Sequence, residues 1–175
     1  SAIGCGCEIG PQAMVDGCQV GDDVTINASQ VTGSTLADGC DVGPYAHVRP
    51  GCQVGPKCHV GAFVQLKNCV LGEGTKMSHL TYVGDADVGS GVNFGCGTVT
   101  TNYDGFEKHR CVIGDNAFIG CNTNLVAPVT VGEGSYIAAG ATITKDVPAD
   151  ALAVARAKQE NKEGWARRRR QMHGK

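Results

Sequence analysis

The chain is poor in aromatic residues and has no long apolar run. Its 175 residues include one tryptophan, four tyrosines and four phenylalanines, against 26 glycines. No stretch of 18 apolar residues occurs, so the sequence predicts no membrane-spanning helix. We expect one domain with a narrow core of small and β-branched residues, in which glycines mark the turns.

Strong net charge and disulfide-type cysteine spacing are also lacking. The formal net charge is −2, which gives the chain no electrostatic reason to bind nucleic acid. No apolar signal segment opens the chain, and no C-x-x-C pair supports a zinc ribbon. The ten cysteines recur at repeat positions, as Cys52 and Cys58 do. We expect reduced thiols that act as small core residues in a cytoplasmic protein.

What the sequence does have is a six-residue repeat. Aliphatic residues, often followed by glycine, recur every six residues with occasional slips of one. A small or β-branched residue follows four positions later, as Ala46 follows Val42. The aliphatic positions are Val42, Val48, Val54, Val60, Leu66, Leu71, Met77, Val83, Val88, Phe94, Ile113, Ile119, Leu125, Val131, Ile137 and Ile143, with a looser pattern at Ile3, Ile9, Val20 and Ile26.

A period of six fits neither a helix nor simple alternation, but it fits a three-sided solenoid. Each side is a short strand, and three sides make a coil of roughly 18 residues. Successive coils pair as parallel strands, with the aliphatic side chains stacked inside. The sequence therefore predicts an all-β solenoid domain over residues 1–155.

Two segments depart from the repeat. Residues 100–112 are too long for one side and should project as a loop, which on a rigid scaffold is a frequent place for function; a tolerated insertion is the alternative. Residues 149–155 suit one more strand. Residues 156–175 are polar and basic, and we expect a solvated tail there rather than a phosphate-binding patch.

Hexapeptide coils indicate an architecture and not an activity. Longer strings carry a finer resemblance: His47-Val48-Arg49-Pro50-Gly51, Phe63-Val64-Gln65-Leu66-Lys67, His79-Leu80-Thr81-Tyr82-Val83-Gly84-Asp85, Asn102-Tyr103-Asp104-Gly105, Leu125-Val126-Ala127-Pro128-Val129 and Lys162-Glu163-Gly164-Trp165. From about residue 40 to 166, the chain resembles the C-terminal domain of bacterial bifunctional N-acetylglucosamine-1-phosphate uridyltransferase/glucosamine-1-phosphate acetyltransferases. The resemblance implies a left-handed parallel β-helix.

The resemblance also implies a reaction. The family transfers acetyl from acetyl-coenzyme A (acetyl-CoA) to the amine of glucosamine 1-phosphate, a step towards UDP-N-acetylglucosamine and peptidoglycan, without a metal. An ammonium cannot attack a thioester, so a base must take a proton from the amine, and histidine suits that task. His79 matches the family's catalytic histidine, whereas a lone solvent-facing histidine is the alternative.

Further residues match the family's ligand contacts. The substrate-binding set is Arg49, Lys67, Tyr82, Asn93 and Lys108. The coenzyme-binding set is Cys96, Asn102, Tyr103, Cys121, Ala139 and Arg156. Guanidinium and ammonium groups suit a sugar phosphate, although exposed charges on any surface would look the same.

Two residues depart from the family pattern, and we expect the family's N-terminal nucleotidyltransferase domain to be absent. Gln65 stands where known members have glutamate, and Cys121 stands where many have serine, a better hydrogen-bond donor. No Gly-rich nucleotide loop precedes the repeats, so we expect no uridyl transfer from this chain. By resemblance we expect a homotrimer whose sites are shared between subunits.

Three rival functions remain. A zinc carbonic anhydrase on the same solenoid needs three convergent histidines, but His47 and His59 are twelve residues apart and should lie on different sides. A non-catalytic assembly module explains the coils but not the matched site residues. A hexapeptide acetyltransferase for another amino sugar is the hardest to separate by sequence.

Overall fold

A computed structural model describes residues 1–174. These residues form 23 short strands and one helix. The elements are β1 Ala2–Ile3, β2 Glu8–Ile9, β3 Met14–Asp16, β4 Gln19–Val20, β5 Thr25–Ile26, β6 Gln30–Thr32, β7 Thr35–Leu36, β8 Asp41–Val42, β9 His47–Val48, β10 Gln53–Val54, β11 His59–Ala62, β12 Gln65–Leu71, β13 Lys76–His79, β14 Tyr82–Val88, β15 Asn93–Phe94, β16 Val99–Thr101, β17 Cys111–Ile113, β18 Phe118–Ile119, β19 Asn124–Val126, β20 Val129–Val131, β21 Tyr136–Ile137, β22 Thr142–Ile143, β23 Leu152–Ala153 and α1 Trp165–Met172.

The strands stack on three faces of a prism. Thr35 pairs with Gln53, and Gln53 pairs with Val70, so one coil takes 17 or 18 residues there. Face 2 is a nine-stranded sheet: β2, β5, β8, β11, β13, β15, β18, β21 and β23. Face 1 contains β1, β4, β7, β10, β17 and β20, and face 3 contains β3, β6, β9, β16, β19 and β22. Every pairing between these strands is parallel, and the fold is a left-handed parallel β-helix as predicted.

Two long strands join faces 3 and 1. β12 and β14 each have seven residues and run around the corner between those faces. They pair along their whole length, from Gln65 with Tyr82 to Leu71 with Val88. We call this corner the 3–1 edge, and the corner between faces 2 and 3 the 2–3 edge. Both edges carry candidate site residues.

The predicted aliphatic positions from Val42 to Ile143 are all buried, which confirms the six-residue pattern. The small residues four positions later are buried too, for example Ala46 and Thr123. At the slips, Cys69 and Ala86 fill the corner inside β12 and β14. Ile3, in the first coil of the described residues, is 49% exposed.

The cysteines follow the prediction of free thiols. All ten are unbonded, and six of them are buried at inward corner positions. Cys52 and Cys69 occupy successive coils, with their sulfurs 3.8 Å apart. They pack as small apolar side chains in a space too narrow for larger ones.

The projecting loop is shorter than the predicted 100–112. Thr100 and Cys111 are buried within β16 and β17, so only residues 102–110 leave the coil. Asp87 still pairs with Val112 across the insertion. The ladder of parallel strands therefore continues past the loop without a break.

The C-terminal region is more ordered than a tail. β23 closes the last coil, as predicted for residues 149–155. Beyond residue 156, helix α1 contains the four arginines, and none of its residues is buried. Arginine, glutamine, alanine and methionine favour helix, which explains this element. Lys175, the last residue of the predicted tail, lies outside the described residues. No helix within residues 1–174 has the length and apolarity to cross a bilayer.

Candidate active site

His79 begins a column of candidate residues along the 2–3 edge. Lys76 pairs with Asn93, Asn93 with Phe118, and Phe118 with Tyr136. Three residues after each of these, one above another, stand His79, Cys96, Cys121 and Ala139. Strand spacing of about 4.8 Å places Ala139 roughly 14 Å from His79 along the prism.

Backbone hydrogen bonds continue this column beyond the strand ends. The Gly97 amide donates to the Leu80 carbonyl at 3.0 Å, and the Asn122 amide donates to the Cys96 carbonyl at 2.8 Å. Leu80 has φ of 45° and Asn122 has φ of 53°, which is the left-handed turn that directs the chain onto face 3. The edge is therefore a regular ridge of exposed or half-buried small side chains beside one imidazole.

His79 is exposed at the end of β13. Within residues 1–174 its ring accepts and donates no hydrogen bond, while the Thr81 hydroxyl donates to its backbone carbonyl at 2.8 Å. The backbone is thus fixed and the imidazole is left to solvent. Such a group can take a proton from a molecule bound on the edge.

Arg156 lies at the upper end of the same column. Its guanidinium Nη1 donates to the carbonyl oxygen of Ala139. The remaining guanidinium N–H groups face solvent, since the residue is exposed. A cation at this end of the edge suits the phosphate end of a long ligand whose reactive end lies at His79.

A polar column runs along the 3–1 edge. Lys67 pairs with Gly84, so the next residues, Asn68 and Asp85, share the corner position one coil apart. The Asn68 Nδ2 donates to Asp85 Oδ1 at 2.7 Å, and the Asn102 Nδ2 donates to Asp85 Oδ2 from the coil above. Lys67 Nζ lies 3.3 Å from the same Oδ2.

Asp85 is buried, with 4% of its surface exposed. Burial opposes its ionisation, but the hydrogen bonds from Asn68, Asn102 and Lys67 outweigh that cost and hold the pKa of its carboxyl below its usual range. Asp85 is therefore an anion at neutral pH. Its carboxylate is shared by these three side chains.

Three cations lie on the same edge as this carboxylate, and Lys67 contacts it directly. Lys108, on the loop, lies so close to Lys67 that the neighbouring ammonium lowers the pKa of Lys108, and Arg49 adds to that effect. Arg49 sits one coil below Lys67, and its amide donates to the Leu66 carbonyl. Three positive groups around one buried acid leave an excess of positive charge for an incoming anion.

Tyr82 lies over Gly84 on face 3. A Cβ on Gly84 would lie 2.2 Å from the Tyr82 hydroxyl and 3.0 Å from Asn102 Nδ2. The Asn102 Nδ2 also lies 3.4 Å from that hydroxyl. The amide of Asn102 is thus held by Asp85 and Tyr82, and it stands in the polar column rather than on the 2–3 edge.

The loop is braced by its own side chains. The Asp104 carboxylate accepts from the amides of Phe106 and Glu107 and from His109 Nε2, at 2.7 to 2.8 Å. The Glu107 amide, His109 and the Phe106 amide lower the pKa of Asp104 to about 2. Tyr103 Oη donates to the Gly105 carbonyl at 2.7 Å, and Tyr103 forms a bridge with Lys108. These contacts give the loop a defined shape and fix the position of the Lys108 backbone.

The chain brings some predicted residues together and separates others. Arg49, Lys67 and Lys108 share the 3–1 edge, whereas His79 lies across face 3 from them. Asn93 lies on face 2, in register with Lys76 and Phe118. No hydrogen bond within residues 1–174 links His79 or the Asn93 side chain to the cationic group.

The histidines of the metal hypothesis diverge. His47 lies on β9 of face 3, while His59 lies on β11 of face 2 and contacts Asp41 at 2.7 Å. Across the described residues, no group of three or more metal-ligating side chains is assembled.

Known proteins share both the sequence and the fold. A model for the bacterial transferase hexapeptide (six repeats) matches residues 110–145. The bifunctional protein GlmU of Caldicellulosiruptor saccharolyticus is 54% identical over 89% of the chain, and the match covers 34% of that protein. GlmU of Brevibacillus brevis is 53% identical over 95% of the chain, and the match covers 36% of that protein.

The chain is similar to the C-terminal portion of GlmU. It spans about a third of the length of the GlmU proteins that it matches. A solved structure, the H141A mutant of GDP-perosamine N-acetyltransferase from Caulobacter crescentus in complex with CoA and GDP-perosamine, superposes with a TM-score of 0.61. At 18% identity over 74% of this chain and 70% of the other, it shows a common fold.

The sequence alone suggested no role for Asp85, Asn68 or Gly84. Asp85 and Gly84 stand in the string from His79 that carried the resemblance, so their position was visible and their contacts were not. Nothing in the repeat singled out Asp85, because the same position, two residues after the buried aliphatic residue, also holds acids at Glu73 and Asp115.

Proposed function

We propose that this chain is an acetyltransferase that moves an acetyl group from acetyl-CoA to the 2-amino group of glucosamine 1-phosphate. The product, N-acetylglucosamine 1-phosphate, would supply UDP-N-acetylglucosamine and peptidoglycan synthesis. The observation that carries the proposal is that His79 stands in one column with Cys96, Cys121 and Ala139. Identity of more than half to GlmU over most of the chain supports the same activity.

His79 is the proposed general base. As the sugar nitrogen attacks the thioester carbonyl carbon, the imidazole takes a proton from that nitrogen. The tetrahedral intermediate collapses with loss of the coenzyme thiolate, which takes the proton back from the imidazolium of His79 to become the free thiol. The exposed ring, without a side-chain partner within residues 1–174, suits this role because its nitrogen is available to the substrate.

The sugar phosphate is proposed to bind at the 3–1 edge and over face 3. Arg49, Lys67 and Lys108 supply charge-assisted hydrogen bonds to the phosphate. Tyr82 lies on face 3 between these cations and His79, where it would contact the sugar ring. Asn93, on face 2, would contact the sugar from the other side of the 2–3 edge.

Acetyl-CoA is proposed to lie along the 2–3 edge. The small side chains at Cys96, Cys121 and Ala139 leave the edge open to the pantetheine arm, and Arg156 would pair with a phosphate. Tyr103 would approach from the loop, whereas the side-chain amide of Asn102 is held in the polar column of the 3–1 edge. The CoA bound to the perosamine acetyltransferase, which has the same fold, supports use of this coenzyme.

A homotrimer is proposed because one prism leaves the site open. Tyr45 and Phe63 stack with ring centroids 5.5 Å apart, and Leu80 continues the same ridge immediately after His79. All three side chains are close to 60% exposed. A second copy packed on this ridge would cover it and add a wall to the edge that carries His79.

The test is release of the coenzyme thiol from acetyl-CoA, with glucosamine 1-phosphate and with glucosamine as acceptors. We expect release with the phosphorylated sugar and a much lower rate with glucosamine. Equal turnover of both would remove the phosphate role of Arg49 and Lys67 and indicate another amino sugar as acceptor. No turnover with either sugar, in a protein shown to be trimeric, would contradict the proposal and favour an assembly module.

A further inference from the structure

The corner position of the 3–1 edge carries hydrogen-bonding side chains on three successive coils. The strand register aligns three residues of successive coils, Lys67, Gly84 and Thr101. The residues that follow them, Asn68, Asp85 and Asn102, therefore lie one above another at the corner. Both outer amides donate to the central carboxylate. Elsewhere a solenoid corner needs only a turn residue, so a charged, buried side chain at this position calls for a function.

Asp85 connects parts of the chain that are distant in sequence. Lys67 belongs to the coil below and Asn102 to the start of the projecting loop. Arg110 closes the loop at its other end, with its guanidinium on both oxygens of Asp87 at 2.6 and 3.1 Å and on the Asn68 carbonyl. Hydrogen bonds therefore attach both ends of the Lys108 loop to the coil, and Asp85 accepts the one from Asn102 at the start of the loop.

The charge around Asp85 matches a phosphate monoester. Arg49, Lys67 and Lys108 contribute three positive charges, and Asp85 cancels one of them. The two that remain equal the charge of a phosphate monoester above its second pKa of about 6. Lys67 has three N–H donors, and Asp85 accepts one of them, which leaves the others for a ligand.

We propose that Asp85 is the positioning residue of the phosphate subsite, which it acts on by fixing the Lys67 ammonium and by tying the start of the Lys108 loop through Asn102. The inference rests on the proposed function, since the phosphate is that of the acceptor sugar. Without Asp85, a flexible lysine would be repelled by two neighbouring cations, and the loop would lose its first tie.

Asp85→Asn tests this role with little change in shape. Asp85 has φ of 49°, a conformation that asparagine also adopts. The substitution removes the charge and places an NH2 donor against the donor of either Asn68 or Asn102, while the remaining oxygen accepts from the other. We expect KM for glucosamine 1-phosphate to rise at least about tenfold, while KM for acetyl-CoA stays within about twofold of the parent value. The preference for glucosamine 1-phosphate over glucosamine should fall by a similar factor.

A double variant separates positioning from general damage. In a Lys67→Met background, Asp85→Asn should raise KM by a smaller factor than in the parent protein, and the factor that remains measures the action of Asp85 through Asn102 and the loop. Asp41→Asn is the matched control, because it removes a surface carboxylate that contacts His59 on face 2. We expect it to leave every kinetic constant unchanged.

The outcomes decide between the two proposals. If the parent protein is active and Asp85→Asn leaves KM for the sugar phosphate unchanged, or lowers kcat alone, the positioning role is wrong. If the parent protein is inactive, the proposed function fails first, and calorimetric binding of glucosamine 1-phosphate to both proteins then tests Asp85. Should Asp85→Asn not fold, Asn68→Ala, which removes one donor at the exposed side, must raise the same KM by about threefold.

Discussion

Two edges of one prism solve opposite problems. Along the 2–3 edge, His79, Cys96, Cys121 and Ala139 are exposed or half-buried. Along the 3–1 edge, Asp85 and Asn102 are buried and bonded to each other. The first edge leaves its surface for a ligand, whereas the second uses internal bonds to hold cations in place. An identical backbone therefore supports both an open track and a preorganised charge site.

The largest effect on catalysis is expected from a substitution of His79, the proposed general base on the 2–3 edge. His79→Ala should lower kcat for acetyl transfer by about 10²- to 10⁴-fold, since a positioned general base contributes that much. KM for either substrate should change little. Steady-state thiol release measures both constants.

His59→Ala is the matched control, because His59 is a half-buried histidine of face 2 that contacts Asp41. The kcat of His59→Ala should equal that of the parent protein. A loss below about tenfold in His79→Ala would assign the base to another group.

A second prediction fills the open edge. Ala139→Trp places a large ring on the proposed path of the pantetheine arm, so KM for acetyl-CoA should rise about 10- to 100-fold. Thr130→Trp adds the same ring to an exposed position on face 1 and should have no effect. If both variants bind acetyl-CoA like the parent in a calorimetric titration, the coenzyme does not run along this edge.

A third prediction disturbs the preorganised edge without removing a charge. In Gly84→Ala the new Cβ meets the Tyr82 hydroxyl at 2.2 Å, and the end of a side chain can move away at little cost to the fold. Tyr82 and Asn102 should shift, and KM for glucosamine 1-phosphate should rise about tenfold. KM for acetyl-CoA serves as the internal control. A rise in that constant instead would place Tyr82 against the coenzyme.

The smallest effect concerns acid. The pKa of Asp104 is about 2 in the folded chain, below the unfolded value of about 3.9. Its contribution to loop order is therefore complete above pH 4 and is lost as the pH falls towards 2. The protection of the Phe106 and Glu107 amides against hydrogen exchange, taken relative to the intrinsic rate at each pH, should fall over that range, because both amides donate to Asp104. In Asp104→Asn the protection should already be reduced at pH 6.

The sequence predicted the core almost residue by residue. A six-residue period leaves little freedom, because Val42, Val60 and Met77 can stack only if each coil closes at nearly one length. The loop was predicted too long because Thr100 and Cys111 do not resemble the usual aliphatic residues, although both are buried in strands. Helix α1 was missed because its charge suggested solvation rather than order.

The candidate site was only partly predictable. Strings around Arg49, Lys67 and His79 identified which residues to inspect. The neighbours of each side chain depend on register between coils, which single-residue slips alter. The acid Asp85 and its amide partners follow from that register, and so does the separation of His79 from the cations.

The insertion after β16 leaves the strand ladder intact, with Asp87 still opposite Val112 and Asn93 opposite Phe118. The inserted residues therefore project from the coil and do not change the pairing between successive coils. A segment attached in this way is free to lengthen, shorten or change in composition between related proteins while the prism beneath it is conserved. The proposed phosphate subsite at Lys108 and the stability of the scaffold can therefore change separately.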